Sequence, residues 1–289
     1  MSLTLLKDIR RIYAGLNADA IREAAHQDLN VGLIAASEED YRRMEQFLAP
    51  EWGEDRGRAE ALRTIHRVDG TPHSRFDFVL CAPGVTAGGK CYAFDPADTT
   101  GTTKAIVADH EDVELAIARN YPLFRRTVAD RILHRISREN ALFSLVTALP
   151  NVIPSFIDLP WAIGEFATDT AFLTMNQIRM ALLLAATYGQ TVGYTEQKLQ
   201  IAAIAAGAFG WRALARELVG KIPLGGGLIP KAAVAFAGTY VVGMSLEKLN
   251  RTGSGLSRHE RKDAYARAFA RGKEVVEELA PAVTRRAER

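Results

Sequence analysis

Apolar positions change their rhythm along this chain, and each change predicts a different kind of element. In residues 1–16, Leu5, Ile9, Ile12 and Leu16 recur at helical spacing with Lys7, Arg10 and Arg11 beside them, which predicts a basic amphipathic helix. Its apolar run is too short for a secretory signal and holds the two arginines inside it. Such a helix either packs on its own domain or lies on a membrane surface. Between residues 29 and 95 the pattern shifts to short apolar runs separated by turns. Residues 31–36, 76–81 and 91–94 are rich in β-branched and aromatic side chains and predict strands. Ser37 and Asp40 start a helix through Leu48, because a serine side chain can satisfy free amides at a helix N-terminus.

Helical spacing then takes over. Helices are expected at about 111–120 and 124–149, with Pro122 between them. Asp158 caps a third, from 159 to about 188, and Trp211 lies in a later one. Residues 222–246 carry one charge, Lys231, and are interrupted by Gly225–Gly227 and Pro230, which predicts a hairpin more than a straight span. Residues 251–255 read as a linker. After it, Ser257 and Glu260 make a capping box for a charged helix with Tyr265, Phe269, Val276 and Leu279 on one side. The expected fold class is α+β: an α/β domain over 1–121, an apolar helical domain over 122–250, and a linker with a charged helix over 251–289.

Charge is distributed as unevenly as hydrophobicity. Of the 110 residues from 141 to 250 only 13 are charged, against 57 of the other 179. The middle of the chain must therefore be covered by protein or lie in lipid. Its longest uncharged runs fall short of the roughly 18–20 residues that span a bilayer, so peripheral or shallow insertion competes with spanning. Over all 289 residues, 36 Lys and Arg face 34 Asp and Glu, a net charge of +2 that offers no field for nucleic acid. Cys81 and Cys91 are too few for a disulfide framework or a four-ligand zinc site, which points to a reducing compartment. The six histidines show no metal-binding spacing, so no metal and no cofactor are expected.

Two constellations are candidates for chemistry. Gly84, Gly89 and Lys90 come close to a phosphate-binding loop that follows a strand. Cys91 replaces the hydroxyl that would hold magnesium, and the residues after it read as a strand, where the motif needs a helix N-terminus. A glycine-rich hairpin loop is the simpler reading, and nucleotide binding the rival. The turn after residues 31–36 is Ala36, Ser37, Glu38, Glu39, whose carboxylates repel phosphate. In the apolar half, Glu165 and Asp169 share a helix face with Asn176, and Arg212 and Arg216 share a later one. Pairing these charges would offset the several kcal/mol that an isolated buried charge costs, giving an expected ion-pair network.

The segments Asn140–Phe143, Ala148–Pro150, Leu173–Gln177, Phe209–Arg212, Pro230–Lys231 and Gly238–Gly243 occur in an order that resembles the bacterial domain of unknown function 697. The resemblance covers about 122–249. It implies a helical, membrane-proximal domain linked to GTPase systems, and it carries no catalytic residues. The resulting expectation is a non-enzymatic adaptor at the cytoplasmic face of the cell membrane, with the cytoplasm as the alternative location. A GTPase is its expected partner, and homo-oligomerisation through the apolar surface is the second alternative.

Overall fold

Val31–Ile34 (β1) is buried at every position, as a strand covered on both faces must be. It lies inside a four-stranded parallel sheet with Ile65–Arg67 (β2), Phe78–Cys81 (β3) and Tyr92–Ala93 (β4), in the order β2-β1-β3-β4. The computed structural model describes residues 17–51, 55–69, 75–85, 87–148, 169–207 and 228–287. Val31 pairs with Ile65 on one side and Phe78 on the other, while Leu80 pairs with Tyr92. The pairing of β3 with β4 is parallel, which corrects the expected hairpin: residues 82–91 return the chain to the start of the next strand.

Successive side chains of a strand point to opposite faces, and here the two faces are covered differently. Phe78 meets Tyr121 and Phe124 at ring-centroid distances of 6.3 and 6.2 Å, and Phe47 meets Phe94 at 5.2 Å. Phe78 belongs to β3 and Phe47 to α2 (Glu38–Leu48), Phe94 follows β4, and Tyr121 and Phe124 follow α5 (Glu114–Asn120); α1 (Ala18–Ala25), α3 (Asp55–Arg63) and α4 (Thr99–Asp109) are the other helices described in this part of the chain. On the other face Ile34, Val68, Val79 and Cys81 form a small core, and Phe76, Val85, Ala87 and Cys91 pack against it. Gly32 belongs there because a Cβ would lie 2.9 Å from a methyl of Val68. The helix starts are those a capped terminus requires. The Asp40 amide donates to Ser37 Oγ at 3.1 Å, and the Gly101 amide donates to Asp98 Oδ1 at 2.8 Å.

The rest of the fold is helical, so the class is α+β. Its helices are α6 (Arg125–Val146), α7 (Asp169–Thr187), α8 (Lys198–Ala205), α9 (Leu228–Thr252) and α10 (Arg258–Ala287). The chain divides into two compact units. One holds Asp19–Asp130 and Ala185–Thr191; the other holds Arg131–Leu184 and Val192–Arg289. Helix α10, set apart in the sequence reading, shares the second unit with α9. Phe236 and Ala232 of α9 pack against Val275, Val276 and Leu279, and Val241 and Ala237 pack against Tyr265 and Ala268. Gly272 makes the approach possible, since a Cβ there would stand 3.1 Å from the Ala233 carbonyl oxygen.

Helix α9 corrects one part of the expectation for residues 222–246, the break at Pro230. Pro230 sits in the first turn, where the amide it lacks has no helical partner anyway, so it does not break the helix. Ile229–Thr252 is 24 residues long and apolar enough to cross a membrane, and 67% of its most apolar stretch is buried inside the protein. At about 1.5 Å per residue it is roughly 36 Å long. The expected amphipathic helix of residues 1–16 and the turn at Gly225–Gly227 lie outside the described residues.

Candidate functional site

In an open parallel sheet a ligand binds at the carboxyl ends of the strands where the strand order reverses, here between β1 and β3. The first turn of α2, at the end of β1, carries Glu38, Glu39 and Asp40. Glu38 accepts from Arg67 at 2.8 Å, and that bond, the first cause, holds its carboxyl below the ordinary range. A carboxylate-lined turn disfavours a phosphate at this point.

At the end of β3 the loop of Gly84, Gly89 and Lys90 is closed by a disulfide between Cys81 and Cys91, with Cα atoms 5.9 Å apart. The cysteine count was expected to allow no disulfide framework and to point to a reducing compartment; a single bond is present. Parallel pairing brings the ends of the loop within bonding range, a juxtaposition that no spacing rule discloses. Gly84 takes φ 78°, the left-handed conformation that glycine adopts without strain. Lys90 is drawn to the C-terminal end of α4. Its ammonium lies 3.0 Å from Asp109 Oδ2 and 5.5 Å from the centre of the Tyr92 ring.

Tyr92 ties this corner together. Its hydroxyl donates to Asp109 Oδ2 at 2.8 Å and lies 3.0 Å from His110 Nε2. The Tyr92 hydroxyl, and then Lys90, hold the Asp109 carboxyl below its ordinary range. Asp109 in turn raises Lys90, and burial raises Tyr92. Burial, reinforced by the Lys90 charge, favours neutral His110. An ionised tyrosine is thus disfavoured, and the group is a neutral hydrogen-bonded brace at the end of α4.

The helical unit contains a second polar site. Asn140 of α6 donates through Nδ2 to Thr239 Oγ1 of α9 at 2.7 Å, and Asn176 of α7 donates to Asn140 Oδ1 at 2.8 Å. All three residues are fully buried. Arg179, one turn beyond Asn176, donates to both carboxylate oxygens of Glu139 at 2.9 and 3.0 Å. Asn176 Oδ1, Ser137 Oγ and Gln177 Nε2 have no hydrogen-bond partner among the described residues. The expected network took its charges from elsewhere: Glu165, Arg212, Arg216 and the Asp169 side chain lie outside the described residues. Sequence reasoning missed Glu139 because it falls in the charged first part of α6, before the apolar segment where buried pairs were sought. The three hydrogen-bonded residues come one each from Asn140–Phe143, Leu173–Gln177 and Gly238–Gly243, segments that carry the family resemblance.

Among the described residues no group of three or more His, Cys, Asp or Glu side chains is arranged to hold a metal ion. Compared with known proteins, the chain matches no family model, no curated protein and no solved structure.

Proposed function

We propose that this protein is a non-enzymatic, membrane-associated adaptor or regulator, held at the cytoplasmic face of the cell membrane and partnered with a GTPase. The observation that carries the membrane part is α9, an uninterrupted helix whose length and composition suit a bilayer. Support for the partner is the resemblance over about 122–249, three of whose six motif segments supply the buried Asn140, Asn176 and Thr239. In this reading the helical unit holds the chain at the membrane and the α/β unit makes the protein contact. Carbonate washing of membranes from native cells tests it. The chain is expected to stay in the pellet, and release into the wash overturns the membrane assignment.

A second reading is favoured by one observation: two-thirds of the apolar stretch of α9 is already covered by protein. In that reading α9 is the core helix of a soluble helical protein, and its remaining apolar surface joins a second copy. A soluble dimer or larger oligomer, without detergent, would select it.

A further inference from the structure

The chain has two cysteines, and both belong to the loop that closes one face of the sheet. Cys81 ends β3 and is 4% exposed, whereas Cys91, in the loop before β4, is half-buried. Residues 82–91 contain no helix or strand among the described positions. Beside the disulfide, the described ties of this loop are a bond from the Ala82 amide to the Ile34 carbonyl at its start, a turn bond from the Val85 amide to the Ala82 carbonyl, the packing of Val85 and Ala87 on Ile34, Val68 and Val79, and at its end Lys90, paired with Asp109 and lying over the Tyr92 ring. The ion pair is well exposed and contributes little.

We propose that Cys81 and Cys91 form a reversible dithiol–disulfide couple that exchanges with a cellular dithiol at Cys91, and that its state decides whether Val85 and Ala87 stay packed on the apolar sheet face. The proposal rests on the cytoplasmic placement proposed above, because disulfides in reducing compartments are characteristically transient and regulatory, whereas an oxidising compartment would keep this one closed.

The exchange has a direction set by burial. A thiolate of the reductant attacks Cys91 Sγ, the sulfur nearer solvent. The S–S bond breaks and its electron pair leaves on Cys81, which takes a proton. The second thiolate of the reductant then attacks its own sulfur in the mixed disulfide, forming the reductant's disulfide and releasing Cys91, which takes the second proton. Two electrons and two protons have passed from the dithiol to the protein. Reoxidation by a disulfide of the same class runs the steps backward.

Once the bond is open, Ala82 is still held to β1, and the part of the loop beyond it depends on Lys90 at its exposed end and on two small apolar contacts. Lys90 is the one trypsin site between Cys81 and Cys91, so cleavage after it reports loop opening directly. The test has two arms on the full chain. Native cells are quenched in acid and alkylated with a mass-adding maleimide before, during and after exposure to diamide. Two reactive thiols at rest, none under diamide and two on recovery are expected. In the second arm, trypsin should cut after Lys90 at least tenfold faster in the dithiothreitol-reduced chain and in Cys91→Ser than in the oxidised chain. A bond that is closed in resting cells and does not change makes it a permanent cross-link and overturns the proposal. Equal cleavage rates in the oxidised and reduced wild-type chain overturn the loop-opening part, whether or not the variant folds. Fractionation of the same cells keeps the two failures apart: a permanently closed bond in membrane-bound chain defeats the couple alone, and soluble chain with a responsive bond defeats the membrane reading alone.

Discussion

Arg179 and Glu139 lose most of their water together, with side-chain exposures of 10% and 17%, and each is left with the other as its main compensation. Removing one partner takes a bidentate bond from the other. Arg179→Ala or Glu139→Ala is expected to destabilise the chain by roughly 3–5 kcal/mol, and the combined replacement by Met and Leu to recover most of it. Urea unfolding followed by helix signal reads both; single losses below about 1 kcal/mol would mean that the pair is effectively solvated. Asn140 is a milder case, since Asn140→Ala leaves Thr239 and Asn176 buried without their bonds at a cost of about 1–3 kcal/mol. At the start of α10 one carboxyl is depressed by its donors. Glu260 accepts from Lys248 at 2.7 Å and from the Ser257 amide at 2.7 Å, and these donors lower its pKa from 4.5 to about 2. A carboxyl depressed by folding stabilises the fold above its ordinary pKa, and that contribution disappears as the pH falls from about 4.5 to about 2. A carbon-detected titration of Glu260 should show the low midpoint, and Lys248→Ala should raise it towards 4.5.

Elements meet closely in this protein because small residues stand at their crossings. Gly243 of α9 faces α6 and α7, where a Cβ would lie 2.7 Å from Leu133 Cγ and 2.9 Å from Met180 Sδ. Gly243→Ala therefore overfills the crossing and should cost about 1–3 kcal/mol, measurable as a lower thermal midpoint. The loop between β3 and β4 supports another expectation. Lys90 leads into a strand and pairs with Asp109 at the C-terminal end of α4, so the purified chain is expected to bind neither GTP nor ATP; tight binding of a fluorescent guanine nucleotide that Lys90→Ala abolishes would reverse this. Elements with strong local signals were legible in the sequence. The run at β1, the Ser37 cap, the strand before Gly84 and the Ser257–Glu260 box all announce themselves within a few residues. Short elements did not. Strand β2 has only Ile65 buried, beside His66 and Arg67, and becomes a strand because β1 offers it an edge. Helix α4 begins Thr-Thr-Gly-Thr-Thr, a composition that favours turns, and its cap at Asp98 is visible only in three dimensions.

For the molecule as a whole, the uneven charge correctly marked the apolar half as a separate problem, but counting uncharged residues underestimated its longest helix. Lys231, Glu247 and Lys248 lie near the ends of α9, so charges that seemed to interrupt it stand close to its termini. The polar core was illegible for a related reason: Asn140, Asn176 and Thr239 are scattered over a hundred residues and meet only through helix packing. If lipid takes part in covering α9, the full chain should sediment with membranes and resist high salt, because apolar burial is not screened, while a chain ending near residue 149 should be soluble. Full release by salt alone would mean that the attachment is electrostatic.

The packing of α10 on α9 has a consequence in time. Synthesis runs from the N-terminus, so α9 is complete before the 30 residues of its cover have been made. At about 5–20 residues per second, translating Arg258–Ala287 takes roughly 2–6 s. Throughout that interval the faces of Phe236 and Val241 that will meet Val276 and Tyr265 have no partner from the same chain. A chaperone or insertion machinery that meets the nascent chain in that interval finds this face of α9 still open, and α10 closes it only when its own synthesis is finished.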